Sequence, residues 1–231
     1  PLSSSAYLRL NGSASNAGNY ETGSGIKPMT EYSTTDYTAI LGTLLSDGSK
    51  LEFNYTNNRQ DKVGYPGLTM DIVYSYTDMY TLKYHRVTPF GMFSSMNVEL
   101  FNTDIDHLMD NVILRGNTGN GVMSWPTASD TYGGRIIGTI GSDIRAGIDY
   151  EHNTKDAEQN MVMSGMNVFM TYLWPGVETE KLGLFFEQDL NNISYGIRYD
   201  QVELDPTRAA DDPGSGMMQK TANEVYTADY D

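Results

Sequence analysis

Cysteine is absent from this 231-residue sequence. The absence excludes disulfides, thiolate metal centres and cysteine nucleophiles, and it permits an oxidising compartment without requiring one. Long apolar runs are missing too: no stretch of 18 or more apolar residues occurs, so there is no candidate transmembrane helix. A membrane-crossing strand is not excluded, because it needs only about 9–11 residues with one apolar face. Positive charge is scarce, with 15 Lys and Arg against 30 Asp and Glu and a formal net charge of -15. That balance excludes a nucleic-acid partner, which needs a basic footprint, and favours cations near the surface. The start at Pro1 shows no charged-then-apolar leader, so a mature, trimmed or partial chain is expected.

Other patterns are absent in the same way. No helical periodicity is convincing anywhere. The acidic runs "DIDH" and "AADDP" lack EF-hand spacing, and "GVMSWPTASDTYGG" has no phosphate-loop pattern. No nucleophile stands beside a base, so no catalysis is expected.

What is present is a period of two. In "DIRAGIDYEH", Ile144, Ala146, Ile148 and Tyr150 alternate with Arg145, Gly147, Asp149 and Glu151. In "NISYGIRYDQ", Ile193, Tyr195, Ile197 and Tyr199 alternate with polar or small residues, as do Leu51, Phe53 and Tyr55 in "KLEFNYTN". These are strands with one apolar and one polar face. Strands are predicted near 5–20, 33–45, 50–59, 73–86, 94–106, 128–140, 143–153, 181–188 and 193–204. The alternation slips between Leu100 and Phe101, which predicts a bulge there.

The connections alternate in length. "SDGS" (46–49), "PFGM" (89–92), "GSD" (141–143) and "LNN" (190–192) read as tight turns. Between them lie longer segments near 21–32, 60–72, 107–127, 154–180 and 205–231. Short turns at one end and long loops at the other are the habit of outer-membrane barrels. The 17 tyrosines, many on the apolar faces, suit the aromatic girdles of such barrels. The predicted fold class is therefore all-β: an antiparallel meander forming part of a transmembrane outer-membrane β-barrel. Nine strands are too few and odd in number for closure, so an arc of a larger barrel is expected, with about 22 strands around a filled lumen.

Chemistry concentrates in the long segments. "DIDHLMDN" places His107 and Met109 two apart at a strand end, on one face of an extended chain. Imidazole and thioether together select copper, particularly Cu(I), over magnesium or calcium. Further thioethers lie in the same segments: Met29, Met70, Met123, Met161, Met163, Met166, Met170, Met217 and Met218. Of these, Met123, Met161, Met163 and Met166 are the candidate additional ligands. On spacing alone an incidental strand-end pair is the favoured reading of His107 and Met109, and the methionines are equally gap-fillers in packed loops. Asp106 and Asp110 are expected to point elsewhere or to orient the imidazole. His85 and His152 lack soft neighbours and read as lumen or loop residues.

The run from "MNVELFNTDIDHLMDN" through "GVMSWPTASDTYGGR" to "GIDYEHN" resembles the barrel of TonB-dependent copper receptors, as do "NYETGSG", "AILG" and "YPGLTMD". The resemblance covers most of residues 5–205. It implies a barrel of about 22 strands in the outer membrane of a Gram-negative bacterium. It implies a plug domain and TonB as partners, with outer-membrane lipid around the wall. His107 and Met109 match the family's HxM ligand pair, and the plug is expected to supply the remaining ligands, among them a cysteine and a methionine. On this reading residues 1–231 are a partial barrel domain without the plug, and copper is the transported ligand rather than a resident cofactor. Two alternatives stand beside it: a receptor of the same architecture for a siderophore or haem, and a structural or adhesive β-protein.

Overall fold

The computed structural model describes residues 5–117, 121–163, 166–190 and 192–206, with the side chains of 162–172 outside that description. Nine strands follow in chain order: β1 (Ala6–Ala17), β2 (Tyr32–Leu44), β3 (Lys50–Val63), β4 (Asp71–Arg86), β5 (Ser95–Asp110), β6 (Val122–Ile140), β7 (Ile144–Met163), β8 (Met166–Leu190) and β9 (Ile193–Asp205). Each pairs antiparallel with the next, giving one meander sheet in the order β1 to β9. Because every strand reverses the last, the β2–β3, β4–β5, β6–β7 and β8–β9 turns share one end of the sheet. The β1–β2, β3–β4, β5–β6 and β7–β8 connections share the other. Gly48 (φ 82°) and Gly141 (φ 62°) supply the left-handed backbone that two of the tight turns require.

Register assigns the faces. Tyr84, Leu82 and Tyr80 on β4 pair with Val98, Leu100 and Asn102 on β5, which pair with Ile136, Gly134 and Tyr132 on β6. The row continues through Ile148 to Leu184 and Tyr199, so the predicted apolar residues of nine strands lie on one face. Among the described residues nothing covers that face: Ile193, Ile197 and Tyr199 are 68%, 73% and 61% exposed. The buried hydrophobic residues among those described are Met70, Ile72, Ala157 and Val177, none of them part of a central core. A continuous exposed apolar face marks a membrane or protein contact.

The apolar band has a limit. Asn57, Asp78, Asp104 and Asp130 occupy one register row across β3 to β6, on the apolar face but nearer the long connections. Just below them Tyr55 stacks on Tyr80 at 5.0 Å, and Tyr132 stacks on His152 at 4.9 Å. Rings at the boundary between apolar and charged rows are the pattern of the aromatic girdles of outer-membrane barrels.

The opposite, polar face is held by cross-strand ion pairs. Glu52, Lys83, Glu99, Arg135 and Asp149 alternate in sign along one register row from β3 to β7. Arg198 on β9 joins Asp149 at 2.9 Å, and Lys181 joins Glu151 at 2.8 Å. Opposite charges placed directly across strands favour this pairing over a slipped one, since a one-residue slip would turn every side chain to the other face. Gly133 and Gly147 have a steric task on the same face. A Cβ on Gly133 would meet the Tyr150 carbonyl at 2.3 Å and the Phe101 ring at 2.7 Å; one on Gly147 would meet the Phe185 ring at 2.4 Å.

Three expectations are corrected. The segments 107–127 and 154–180 are largely strand: β5 ends at Asp110, β6 begins at Val122, and β7 and β8 run 20 and 25 residues. Beyond the charged row apolar residues occur on both faces, as Leu108 and Met109 do at the end of β5, so the period-two signal fades while the backbone ladder continues. No bulge falls at Leu100 and Phe101, which pair in register with Leu82 and Thr81; the register shift lies between Ile72 and Tyr74. His152 is not a lumen or loop residue but stands in the girdle of the apolar face, its Nε2 3.2 Å from the Thr154 hydroxyl.

A candidate soft-metal site on the polar face

His107 and Met109 lie within β5, beyond the charged row that ends the apolar band. Their odd positions match Ile105, Thr103 and Phe101, so both belong to the polar face. Along an extended strand their Cα atoms stand about 7 Å apart. His107 faces Ser75 on β4 and Thr127 on β6. Met109 faces Ile72 and Trp125. Residue 73 is extruded by the bulge, and this sets the buried Ile72 opposite Met109.

The neighbouring row adds thioethers. Met123 stands two residues from Trp125 on the same face and pairs directly with Met161 of β7. Directly opposed side chains have Cβ atoms about 4.5–5.5 Å apart, and diagonal ones about 7–8 Å. Four of the six sequence candidates, His107, Met109, Met123 and Met161, thus form one stepped patch on β5, β6 and β7. Met163 and Met166 pair with each other beside the β7–β8 connection, and their side chains lie outside the described residues. Among the other methionines of the long segments, Met70 is buried. The Met29 thioether accepts a bond from Asn19 Nδ2 at 3.8 Å in the β1–β2 loop. Met217 and Met218 lie outside the described residues, as does the Met170 side chain.

Burial lowers the pKa of His107 from its ordinary value, and the nearby Asp106 carboxylate only partly offsets this. The imidazole is therefore neutral at neutral pH, the form that binds metal. Asp106 lies on the apolar face with Tyr76 and takes a 3.4 Å bond from the Tyr74 hydroxyl. Asp110 is buried and accepts the amides of Val112 and Ile113, both at 3.0 Å, closing the turn after β5. Neither aspartate orients the imidazole. Among the described residues no three His, Cys, Asp or Glu side chains converge, so the patch offers soft donors without a carboxylate cage.

Two connections hold the site. Asp71 is fully buried at the start of β4 and receives Arg115 Nε and Nη2, each at 2.7 Å. The same guanidinium donates to the carbonyls of Leu68 (2.7 Å) and Tyr65 (2.8 Å), tying loop 64–70 to the segment after β5. Burial pushes the Asp71 carboxyl up, but Arg115 and the Tyr65 amide outweigh it and hold the group below its ordinary range. Asn111 completes the frame: its side chain accepts the Met123 amide at 2.9 Å and its own amide donates to the Met123 carbonyl at 3.1 Å.

These features meet a known fold. The sheet superposes on the solved structure of the copper transporter OprC with a TM-score of 0.70 and 17% identity, over 87% of this chain and 34% of that one. In fold, the chain is similar to a copper transporter. The meander has the fold of part of an outer-membrane barrel, and this chain spans about a third of the transporter's length. OprC is a transporter rather than an enzyme. No family model matches the sequence, and no curated protein matches it.

Reading along the sequence missed three contributors. Trp125 was visible only as a residue of a supposed loop, and its place opposite Met109 follows from register alone. Ile72 depends on the bulge, and the Asp71–Arg115 clamp joins residues 44 apart, which no spacing rule predicts.

Proposed function

We propose that these residues form part of the wall of a TonB-dependent outer-membrane receptor that binds copper, as Cu(I), and imports it. The observation that carries this reading is the shared polar-face patch of His107, Met109, Met123 and Met161. In the closed barrel that face lines the lumen, and the exposed apolar face meets outer-membrane lipid. His107 and Met109 supply two wall ligands; the plug domain supplies the others and TonB the energy for release. Met123 and Met161 gather soft cations toward the pair, because thioethers bind soft monovalent ions and ignore hard ones. The likeness in fold to a copper transporter supports the same reading.

The test is made in the full-length receptor. Bound copper is measured by elemental analysis in wild type and in the double variant His107→Ala, Met109→Ala. The double variant is expected to lose stoichiometric copper. Unchanged stoichiometry and affinity would exclude the pair as ligands, and binding of a siderophore or haem in place of copper would replace the ligand assignment while keeping the barrel.

A further inference from the structure

Trp125 carries the one buried side-chain nitrogen that lacks a hydrogen-bond partner among the described residues: its indole Nε1 is enclosed and makes no bond. An unpaired buried N–H costs about 1–3 kcal/mol. A phenylalanine would fill the same space without that cost, so the indole at this position needs a reason beyond packing. Its location supplies one. Trp125 pairs directly with Met109 across β5 and β6, with Thr127, the partner of His107, on one side and Met123 on the other. Ile72 closes the far side of Met109. The row Ile72–Met109–Trp125 is therefore apolar and poorly hydrated, set between a row holding the imidazole and a row holding two further thioethers.

What indole offers over a phenyl ring is the strongest cation-binding face of any side chain. A filled-shell monovalent ion imposes little coordination geometry and accepts polarisable donors. A hydrated divalent ion would lose its water shell in this row and find no carboxylate cage among the described residues to replace it. We propose that Trp125 is a specificity-determining residue of the soft-metal site: its ring faces the ion held by His107 and Met109, favours monovalent over divalent cations, and screens the bound ion from water. This rests on the soft-metal reading of that pair and adds a third wall contact to it.

The experiment uses the full-length receptor in detergent, with Ag(I) as a redox-stable stand-in for Cu(I). Difference spectra of wild type against Trp125→Phe isolate the signal of this one indole. In wild type, Ag(I) is expected to quench and red-shift that signal, saturating at the metal stoichiometry. Trp125→Phe is expected to keep the stoichiometry while weakening Ag(I) binding by about 2- to 30-fold, the range a cation–π contact supports, with Trp125→Leu weaker again. Heat-modifiable gel mobility checks that each variant is folded. If the double variant His107→Ala, Met109→Ala loses Ag(I) but the wild-type indole signal never responds, the role of Trp125 is overturned and the pair stands. A Trp125→Phe affinity loss without any indole response in wild type assigns the residue to packing and equally overturns the proposal. If wild type binds no Ag(I), the ligand pair itself fails and the proposal falls with it.

Discussion

Replacing Arg115 by methionine tests how the site is held. In the wild type, Asp71 has no solvent exposure and receives two guanidinium bonds at 2.7 Å, plus the Tyr65 amide at 2.7 Å. Methionine keeps the aliphatic stem but leaves a buried carboxylate with only the amide. Removing one partner of a buried ion pair costs about 3–5 kcal/mol. The Arg115 side chain is 24% exposed, so its charge is partly screened already, and about 3 kcal/mol is the better figure. The loss falls on local opening of loop 64–70 and residues 111–117, because the sheet beneath retains its ladder. In amide hydrogen exchange on micelle-embedded protein, the amides of Gly116 and Leu68, bonded to Val112 and Tyr65, should exchange on the order of 100-fold faster, since 1.4 kcal/mol is tenfold. Adding Asp71→Leu should restore most of the protection, as replacing both members of a buried pair is often neutral. Exchange rates within threefold of wild type in Arg115→Met would refute the assignment of the clamp as the element that orders this end of β4 and β5.

The remaining predictions address pH, the faces and the glycines. The folded pKa of His107 is lowered, so its neutral form, and with it metal binding, should persist at acidities that protonate an ordinary histidine; binding is lost only as pH falls through that lowered value. By the same sign, the burial of His107 makes stability decline as pH falls from the unfolded toward the folded pKa; a metal-binding midpoint above pH 6.5 would contradict the lowered value. Ile148→Arg on the apolar face should cost about 2–4 kcal/mol in folding titrations into lipid, whereas Thr103→Arg on the polar face should cost under about 1 kcal/mol. Equal losses would refute the assignment of the faces, and a larger loss at Thr103 would show them to be inverted. Gly133→Val should destabilise by about 1–3 kcal/mol or more, because its Cβ collides with a backbone carbonyl that cannot move aside; wild-type thermal stability would exclude the close approach.

The sequence by itself determined the class of fold and the sidedness of each strand. Period-two patterning in runs such as Ile144–Tyr150 is a local property, because successive side chains of a strand point to opposite faces wherever the strand sits. The tight turns were legible for the same reason: Gly48 and Gly141 answer a local backbone requirement. The i, i+2 spacing of His107 and Met109 placed both on one face, and the structure adds that the face is the polar one. Only the tertiary structure decided what stands beside them. Register brings Trp125 and Ile72 to Met109 and pairs Met123 with Met161, and register arises from summed cross-strand contacts over whole strands rather than from any single run. The bulge at residue 73, misplaced by the sequence pattern to Leu100, is such a collective result. Strand ends beyond the charged row were equally illegible, because polar and apolar residues are mixed on both faces there, the alternation is lost, and only the neighbouring ladder marks them as strand.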